Sequence, residues 1–236
     1  MTSPCPPLYQ GRQITPERRA PGETQMKLYG YFRSSAAYRV RIALNLKKLP
    51  YEQQSVHLTR NGGWQWSEDF RAVNPQKRVP ALALPTGEVL IQSLAIIEYL
   101  DEIHPEPPLL PADPVARAQV RGFAQAIACD IHPLNNLVAL NYLKGPLKHD
   151  QATADEWYRH WVTQGFDALE ALVRPAPYAF GSHVTLADLC LVPQVFNARR
   201  FKVDMARYPK LAAVDAACAR LSAFDKARPE NQPDAE

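Results

Sequence analysis

Strand-type patterning is confined to the first part of this 236-residue chain and does not return after about residue 104. From Met26 to about His104 short apolar runs alternate in type. KLYGYF (27–32) reads as a strand, RVRIALNLKK (39–48) as a buried helix ended by Pro50, and YEQQSVHL (51–58) as a second, more polar strand. The loop RNGGWQW follows, with Gly62–Gly63. ALAL (81–84) and EVLI (88–91) flank Pro85–Thr86–Gly87, a turn signal. Ser93 is placed to cap a helix in which Ile96, Tyr99, Leu100 and Ile103 recur at helical spacing. The order β-α-β-(α)-β-β-α implies a small mixed sheet, parallel across the first crossover and antiparallel in the hairpin.

Beyond it the Pro-rich stretch PEPPLLPADP (105–114) reads as a linker, and every later signal is helical. Asp113 with Pro114 opens a helix. Val120, Phe123, Ile127, Ile131, Leu134 and Val138 recur at helical spacing, and Pro133 inside that pattern predicts a kink. Trp157, Trp161, Ala168, Leu169 and Leu172 make a second stripe, read as core packing. Thr185 to Asp188 resembles a capping box, and residues 212–221 give a further helix. The closing KARPENQPDAE is polar and is expected to fray. The chain thus divides into a disordered N-terminal extension (1–25), a sheet domain (26–104), a linker (105–112) and an all-helical domain (113–236).

Composition removes several classes of function. Net charge is +3, with 27 basic and 24 acidic residues, too balanced for a nucleic-acid binder. No run of 18 apolar residues is present, so no membrane span is expected. Residues 1–25 hold five prolines and no apolar h-region, so they do not read as a secretory signal. Arg12, Arg18 and Arg19 hint at a transit peptide, against which Glu17 and Glu23 weigh. Cys5, Cys129, Cys190 and Cys218 are widely separated, and the six histidines show no ligand spacing. No metal is therefore expected, and a reducing, cytoplasmic setting fits. Cys129, Cys190 and Cys218 read as small buried hydrophobes.

Six segments carry a more specific message: YFRSSAAYRVRIAL (31–44), NPQKRVPAL (74–82), IQSLAIIEYL (91–100), LLPADP (109–114), TLADLCLVPQVFNARRFKVD (185–204) and YPKL (208–211). With them, residues 26–235 resemble the zeta-class glutathione transferases, the maleylacetoacetate and maleylpyruvate isomerases. The resemblance implies an α+β glutathione transferase fold, a thioredoxin-like β-α-β-α-β-β-α domain followed by an all-α domain. It also implies a homodimer. Two positions depart from the family. Its signature cysteine is Ala36 here, and His132 stands where many members carry Gln. CDIHPLNN (129–136) is similar to the maleylpyruvate isomerase branch instead.

The resemblance names a site. Ser34 and Ser35 lie between a strand end and a helix N-terminus, where free N–H groups and the helix dipole favour an anion such as a thiolate. A plain helix cap is the alternative reading of either serine. Val79, before Pro80, would pair its backbone with the cysteinyl part of glutathione; the alternative is an ordinary strand-leading proline. Gln92 and Ser93 would take the glutamyl carboxylate, and Gln65 the glycyl end. Arg33, Arg39 and Arg200 are candidates for substrate carboxylates, which a guanidinium pairs with bidentately, and Arg39 is also placed in the glutathione site. Arg41 reads as a structural surface residue, and Arg199 as solvated or structural. His132 and Asn136 are further candidates for contact with glutathione, His132 also with substrate. The implied activity is glutathione-dependent cis–trans isomerisation of a maleyl keto acid. Glutathione acts as a catalytic cosubstrate whose thiolate adds to the double bond, allows rotation and leaves. The apolar Leu137 and Val138 favour maleylacetoacetate over maleylpyruvate as the acid. A general transferase conjugating electrophiles, or a module that only binds glutathione, remain as alternatives.

Overall fold

A computed structural model describes residues 25–236. The extension expected over residues 1–25 lies outside them but for its last residue, as does Cys5. The chain runs β1 (Met26–Gly30), α1 (Ser35–Leu46), β2 (Tyr51–Ser55), α2 (Glu68–Val73), β3 (Ala81–Ala83), β4 (Val89–Ile91) and α3 (Ser93–Ile103). The strands form one sheet in the order β2-β1-β3-β4. β1 is parallel to β2 and antiparallel to β3, and β3 is antiparallel to β4. This is the mixed sheet implied by the pattern. β2 alternates half-buried and exposed residues, as an edge strand with one covered face should.

Helices α4 (Pro114–Gln125), α5 (His132–Leu134), α6 (Leu137–Lys144), α7 (Gln151–Leu172), α8 (Leu186–Arg200), α9 (Pro209–Cys218) and α10 (Ser222–Ala227) follow. Asp113 caps α4 by accepting the Ala116 N–H at 2.8 Å, with Pro114 at its first position, where the missing N–H costs nothing. α8 is buried nearly all round. It packs on α1, α4 and α9 and so joins the helical layer to the sheet layer. Asp188 accepts the Thr185 N–H at 2.7 Å and the Ala179 N–H at 2.8 Å, a capping arrangement sealed inside the core. Of the aromatic stripe, Trp157 packs against the core and donates its indole N–H to Leu134 O at 2.7 Å.

The kink expected at Pro133 takes a particular form. α4 runs into a π-helical turn, Ala126–Ile131, in which the His132 N–H reaches back to Ile127 O. Pro133 has no N–H to continue the ladder, so the wider turn and the single turn of α5 absorb the break. The bend carries His132, Asn135 and Asn136 to the seam with the sheet.

Several local expectations give way. Ser93 does not cap α3. Gln92 takes the cap position with φ 70°, and Ser93 is the first helical residue. Arg41 is fully buried rather than on the surface. Its guanidinium donates to Tyr31 O, Phe32 O and Ala227 O at 3.4, 3.0 and 3.0 Å, which satisfies the buried charge with three carbonyls. Cys129 is exposed, because it lies midway between the stripe residues Ile127 and Ile131 and so faces away from the core, while Cys190 and Cys218 are buried. The closing segment is not frayed: α10 packs on α1, and Asp234 and Glu236 are bonded to the sheet domain. Arg199 pairs with Asp215 at 2.5 Å, a structural ion pair.

Candidate active site

Three adjoining cavities lie along the seam between the sheet and the helices. The first, about 200 Å³, is lined by Arg33, Ser34 and Ser35 on one side, and by Tyr158, Asn197 and Arg200 on the other. Leu58 and Thr59 close one edge. The second, about 330 Å³, is bounded by Arg39, Arg78, Val79, Gln92, Ser93 and Cys129. A third of about 60 Å³, lined by Ser34, Gln65 and Val79 among others, lies between them. His132 and Asn136 line all three. The residues singled out in the sequence are therefore brought together along one continuous groove.

The end of β1 and the start of α1 supply its centre. Ser34 is the N-cap of α1 and accepts the Ala37 N–H through Oγ at 3.2 Å. A hydroxyl that accepts at its oxygen still has its proton to give. The capping reading and the anion-binding reading of Ser34 are thus compatible. Ser35 is buried, with its Oγ 3.0 Å from His132 Nδ1. Asn136 fixes the direction of that bond. Its Oδ1 accepts the Val138 N–H at 3.1 Å, which turns its Nδ2 toward His132 Nε2, 3.4 Å away. Nε2 is then the acceptor, the proton sits on Nδ1, and His132 donates to Ser35. Burial of the ring, with Arg39 and Arg78 nearby, pushes the His132 pKa down to about 3, so the ring is neutral at ordinary pH. Ser35, like Ser34, is left with a free hydroxyl proton.

The second cavity is built around a buried cation. Arg39 is 1% exposed, donates from Nη1 to Ser93 Oγ at 3.3 Å, and has no partner for Nε or Nη2. Burial lowers its pKa from the ordinary arginine value. Because Ile96 N–H bonds Gln92 O, the N–H groups of Ser93, Leu94 and Ala95 are the unpaired first turn of α3, and all three residues line this cavity. Gln92 is exposed and donates to Gln76 at 2.8 Å. The Val79–Pro80 peptide is cis. Gln65 is buried, donating to Leu58 O at 3.2 Å, with its Oε1 unpaired. Unpaired buried donors at one end and an unpaired amide oxygen at the other suit a peptide-like ligand carrying a carboxylate.

In the first cleft the charge is of one sign. Arg33 donates from Nε and Nη2 to the Tyr31 hydroxyl at 3.3 and 2.8 Å. Arg200 donates to Asn197 Oδ1 at 3.3 Å. Among the described residues neither is paired with a carboxylate. Partial burial, and then the charge of Arg33, lower the Arg200 pKa, against the pull of Tyr158. Tyr31, Tyr158, Asn197 and Asn135 were not foreseen as lining residues. Asn135 is buried with both side-chain polar atoms unpaired, and its only sequence signal was its place beside Asn136. Among the described residues no group of three His, Cys, Asp or Glu is placed to hold a metal, and no helix is long and apolar enough to cross a membrane.

The structure is thus a four-stranded mixed sheet joined through α8 to a helical bundle, with the N-terminus of α1 opening on the seam between them. The family model "Glutathione S-transferase, N-terminal domain" matches residues 28–108, and the corresponding C-terminal domain model matches residues 152–214. The chain belongs to the glutathione S-transferase family. It is 52% identical to a probable maleylacetoacetate isomerase of Vibrio cholerae, over 88% of this chain and 97% of that one. It is 51% identical to a maleylpyruvate isomerase of a Ralstonia species, over 89% and 99%. The solved holo structure of a maleylpyruvate isomerase, described as a bacterial zeta-class glutathione S-transferase, superposes with TM-score 0.85 at 50% identity, over 89% of this chain and all of that one. A maleylacetoacetate isomerase of Methylobacterium extorquens with bound malonate and glutathione gives 0.84 at 39% identity, over 89% and 99%.

Proposed function

We propose that the chain catalyses the glutathione-dependent conversion of maleylacetoacetate to its trans isomer, in the breakdown of aromatic amino acids and related aromatic compounds in the cytoplasm. The observation that carries this reading is the facing pair Arg33 and Arg200. These two guanidiniums have no carboxylate partner among the described residues and share a cleft with the N-terminus of α1. Two like charges in one cleft are costly unless a dianion neutralises them. A maleyl keto acid is such a dianion, and a relative has been solved with malonate and glutathione together.

The other roles follow from position. Arg39, Gln92, Ser93 and the first turn of α3 would hold the glutamyl carboxylate, Val79 beside Pro80 the cysteinyl backbone, and Gln65 the glycyl end. Glutathione, when bound, supplies a thiolate that adds reversibly to the double bond and so lets it rotate. Ser34 and Ser35 then present two hydroxyl protons, with the N–H groups of the first turn of α1, toward the sulfur. Neutral His132, held by Asn136, keeps Ser35 in the donor role. Arg200 and Arg33 bind the carboxylates and stabilise negative charge that builds on the keto oxygen. Ala36 contributes no thiol, and no step needs one from the protein. We further propose that residues 26–104 form the glutathione-binding domain, joined by linker 105–112 to a helical domain over 113–236, and that the protein works as a homodimer.

The test is to assay maleylacetoacetate and maleylpyruvate separately, measuring glutathione before and after. Turnover of maleylacetoacetate with glutathione unchanged is the expected result. Stoichiometric loss of glutathione would make this a conjugating transferase. A preference for maleylpyruvate would move the substrate to the shorter acid. Light scattering that reports a stable monomer would remove the dimer.

A further inference from the structure

The segment after α10 returns to the active-site strand. Asp234 Oδ2 accepts the Phe32 N–H at 3.1 Å and the Ser55 hydroxyl at 2.8 Å, while its Oδ1 accepts from Gln53 Nε2 at 3.2 Å. Phe32 immediately precedes Arg33, so Asp234 ties the backbone beside that arginine to the edge strand β2. Two residues on, Glu236 Oε1 receives His57 Nε2 at 2.8 Å and Arg60 Nη2 at 2.7 Å. His57 Nδ1 accepts the N–H groups of Thr59 and Arg60 at 3.2 and 2.8 Å. That leaves the ring proton on Nε2, where it is donated to Glu236. The His57 ring packs edge-on against Tyr31 with centroids 4.9 Å apart, and the Tyr31 hydroxyl receives both donors of Arg33. The same bonds hold Leu58 and Thr59 at the rim of the first cleft.

We infer that Asp234 and Glu236 are positioning residues for the reaction: they act through Phe32 and through the His57–Tyr31 pair to aim Arg33 at a substrate carboxylate. The inference rests on the reading of Arg33 as a carboxylate binder. An unbraced arginine has many rotamers to lose on binding. A guanidinium already held in place loses fewer and keeps its planar fork facing the ligand.

Charge and position predict opposite outcomes, which makes the idea testable. Glu236 lies near enough to Arg33 for the two charges to interact, and its own pKa is lowered first by its bond to His57. If only charge mattered, removing this anion would make the cleft more positive, and a dicarboxylate would bind more tightly. If the segment aims Arg33, the dicarboxylate binds more weakly.

The experiment measures the dissociation constants of maleate and of glutathione by calorimetry for the full chain carrying Glu236→Ala, Asp234→Asn or Arg33→Lys, and for the Glu236→Ala/Arg33→Lys pair. Maleate binding does not depend on turnover, so absent isomerase activity in the unmodified protein would count against the proposed reaction and leave this test standing. Glu236→Ala and Asp234→Asn should each weaken maleate about fivefold, the worth of one hydrogen bond, with glutathione changed less than about twofold. The paired variant should be no weaker than Arg33→Lys alone, because both changes act on one group. Tighter or unchanged maleate binding by Glu236→Ala, or additive losses in the pair, would overturn the inference. So would equal weakening of both ligands. Glu236→Ala, at a partly exposed side chain, keeps the test open should Asp234→Asn fold poorly.

Discussion

Replacing Ser34 by Ala separates two contributions of one hydroxyl. As the N-cap of α1 it accepts the Ala37 N–H at 3.2 Å. Loss of such a cap costs about 1 kcal/mol of stability. Its proton is free for the sulfur of bound glutathione, and a hydrogen bond to a charged group is worth about 1.5–3 kcal/mol. At about 1.4 kcal/mol for each pKa unit, the thiol should rise by about one to two units, with turnover at neutral pH down about 10- to 100-fold. Ser35 and the first-turn N–H groups remain, so the lower end of that range is expected. Titrating the ultraviolet absorbance of the thiolate in the enzyme–glutathione complex gives the pKa directly, and thermal melts give the cap separately. Ser34→Thr, which keeps the hydroxyl, should restore the thiol pKa. The reasoning is refuted if Ser34→Ala lowers the melting temperature but leaves the bound thiol pKa and the saturated turnover where they were. In that case the hydroxyl is a cap only.

Arg200→Lys keeps a charge but loses the planar fork. It should impair isomerisation while the glutathione dissociation constant stays within about twofold, read by kinetics and binding on the same preparation; a collapse of glutathione binding would place Arg200 in the cosubstrate site. Ala36→Cys should leave isomerase turnover within about threefold, a shift of about 0.7 kcal/mol in barrier, and a large gain would reveal a role for a protein thiol. His132 is held neutral down to about pH 3. The unfolded chain therefore takes up a proton near pH 6.5 that the folded one refuses, and stability must fall as pH drops from about 6.5 toward 3. His132→Gln removes that proton, so denaturant melts between pH 7 and 4 should show a shallower loss for the variant; parallel curves would contradict the neutral-ring assignment.

The local features were legible because they are local. The order of strands and helices follows from short apolar periods, and Ser34–Ser35 announces itself as the start of a helix after a strand. What sequence could not reach is pairing across distance. Nothing in QPDAE marks Asp234 as the acceptor of Phe32 N–H, Ser55 and Gln53, about 180 to 200 residues away in sequence, so the segment reads as a polar tail. Arg41 in RVRIAL carries no sign of a carbonyl cage contributed in part by α10. Gln92 is not a residue expected at φ 70°, so the sequence points to its neighbour Ser93 as the cap instead. Cys129 falls between the stripe residues Ile127 and Ile131 and faces outward; what no residue type announces there is the wider pitch of the π-turn itself.

The cage around Arg41 also bears on the order in which the chain can finish folding as it is made. Two of its acceptors, Tyr31 O and Phe32 O, emerge just after the first strand, whereas Ala227 O comes 186 residues after Arg41 itself. Asn45 waits in the same way for Ala223 O. At about 5–20 residues per second the growing polypeptide would spend roughly 10–40 s with α1 made and its cover still in or behind the ribosome. Through that interval a guanidinium destined for the interior lacks an acceptor, and the face of α1 that packs on α10 stays open to water or to a chaperone. The sheet domain therefore reaches its full set of native contacts only when residues from the far end of the message arrive.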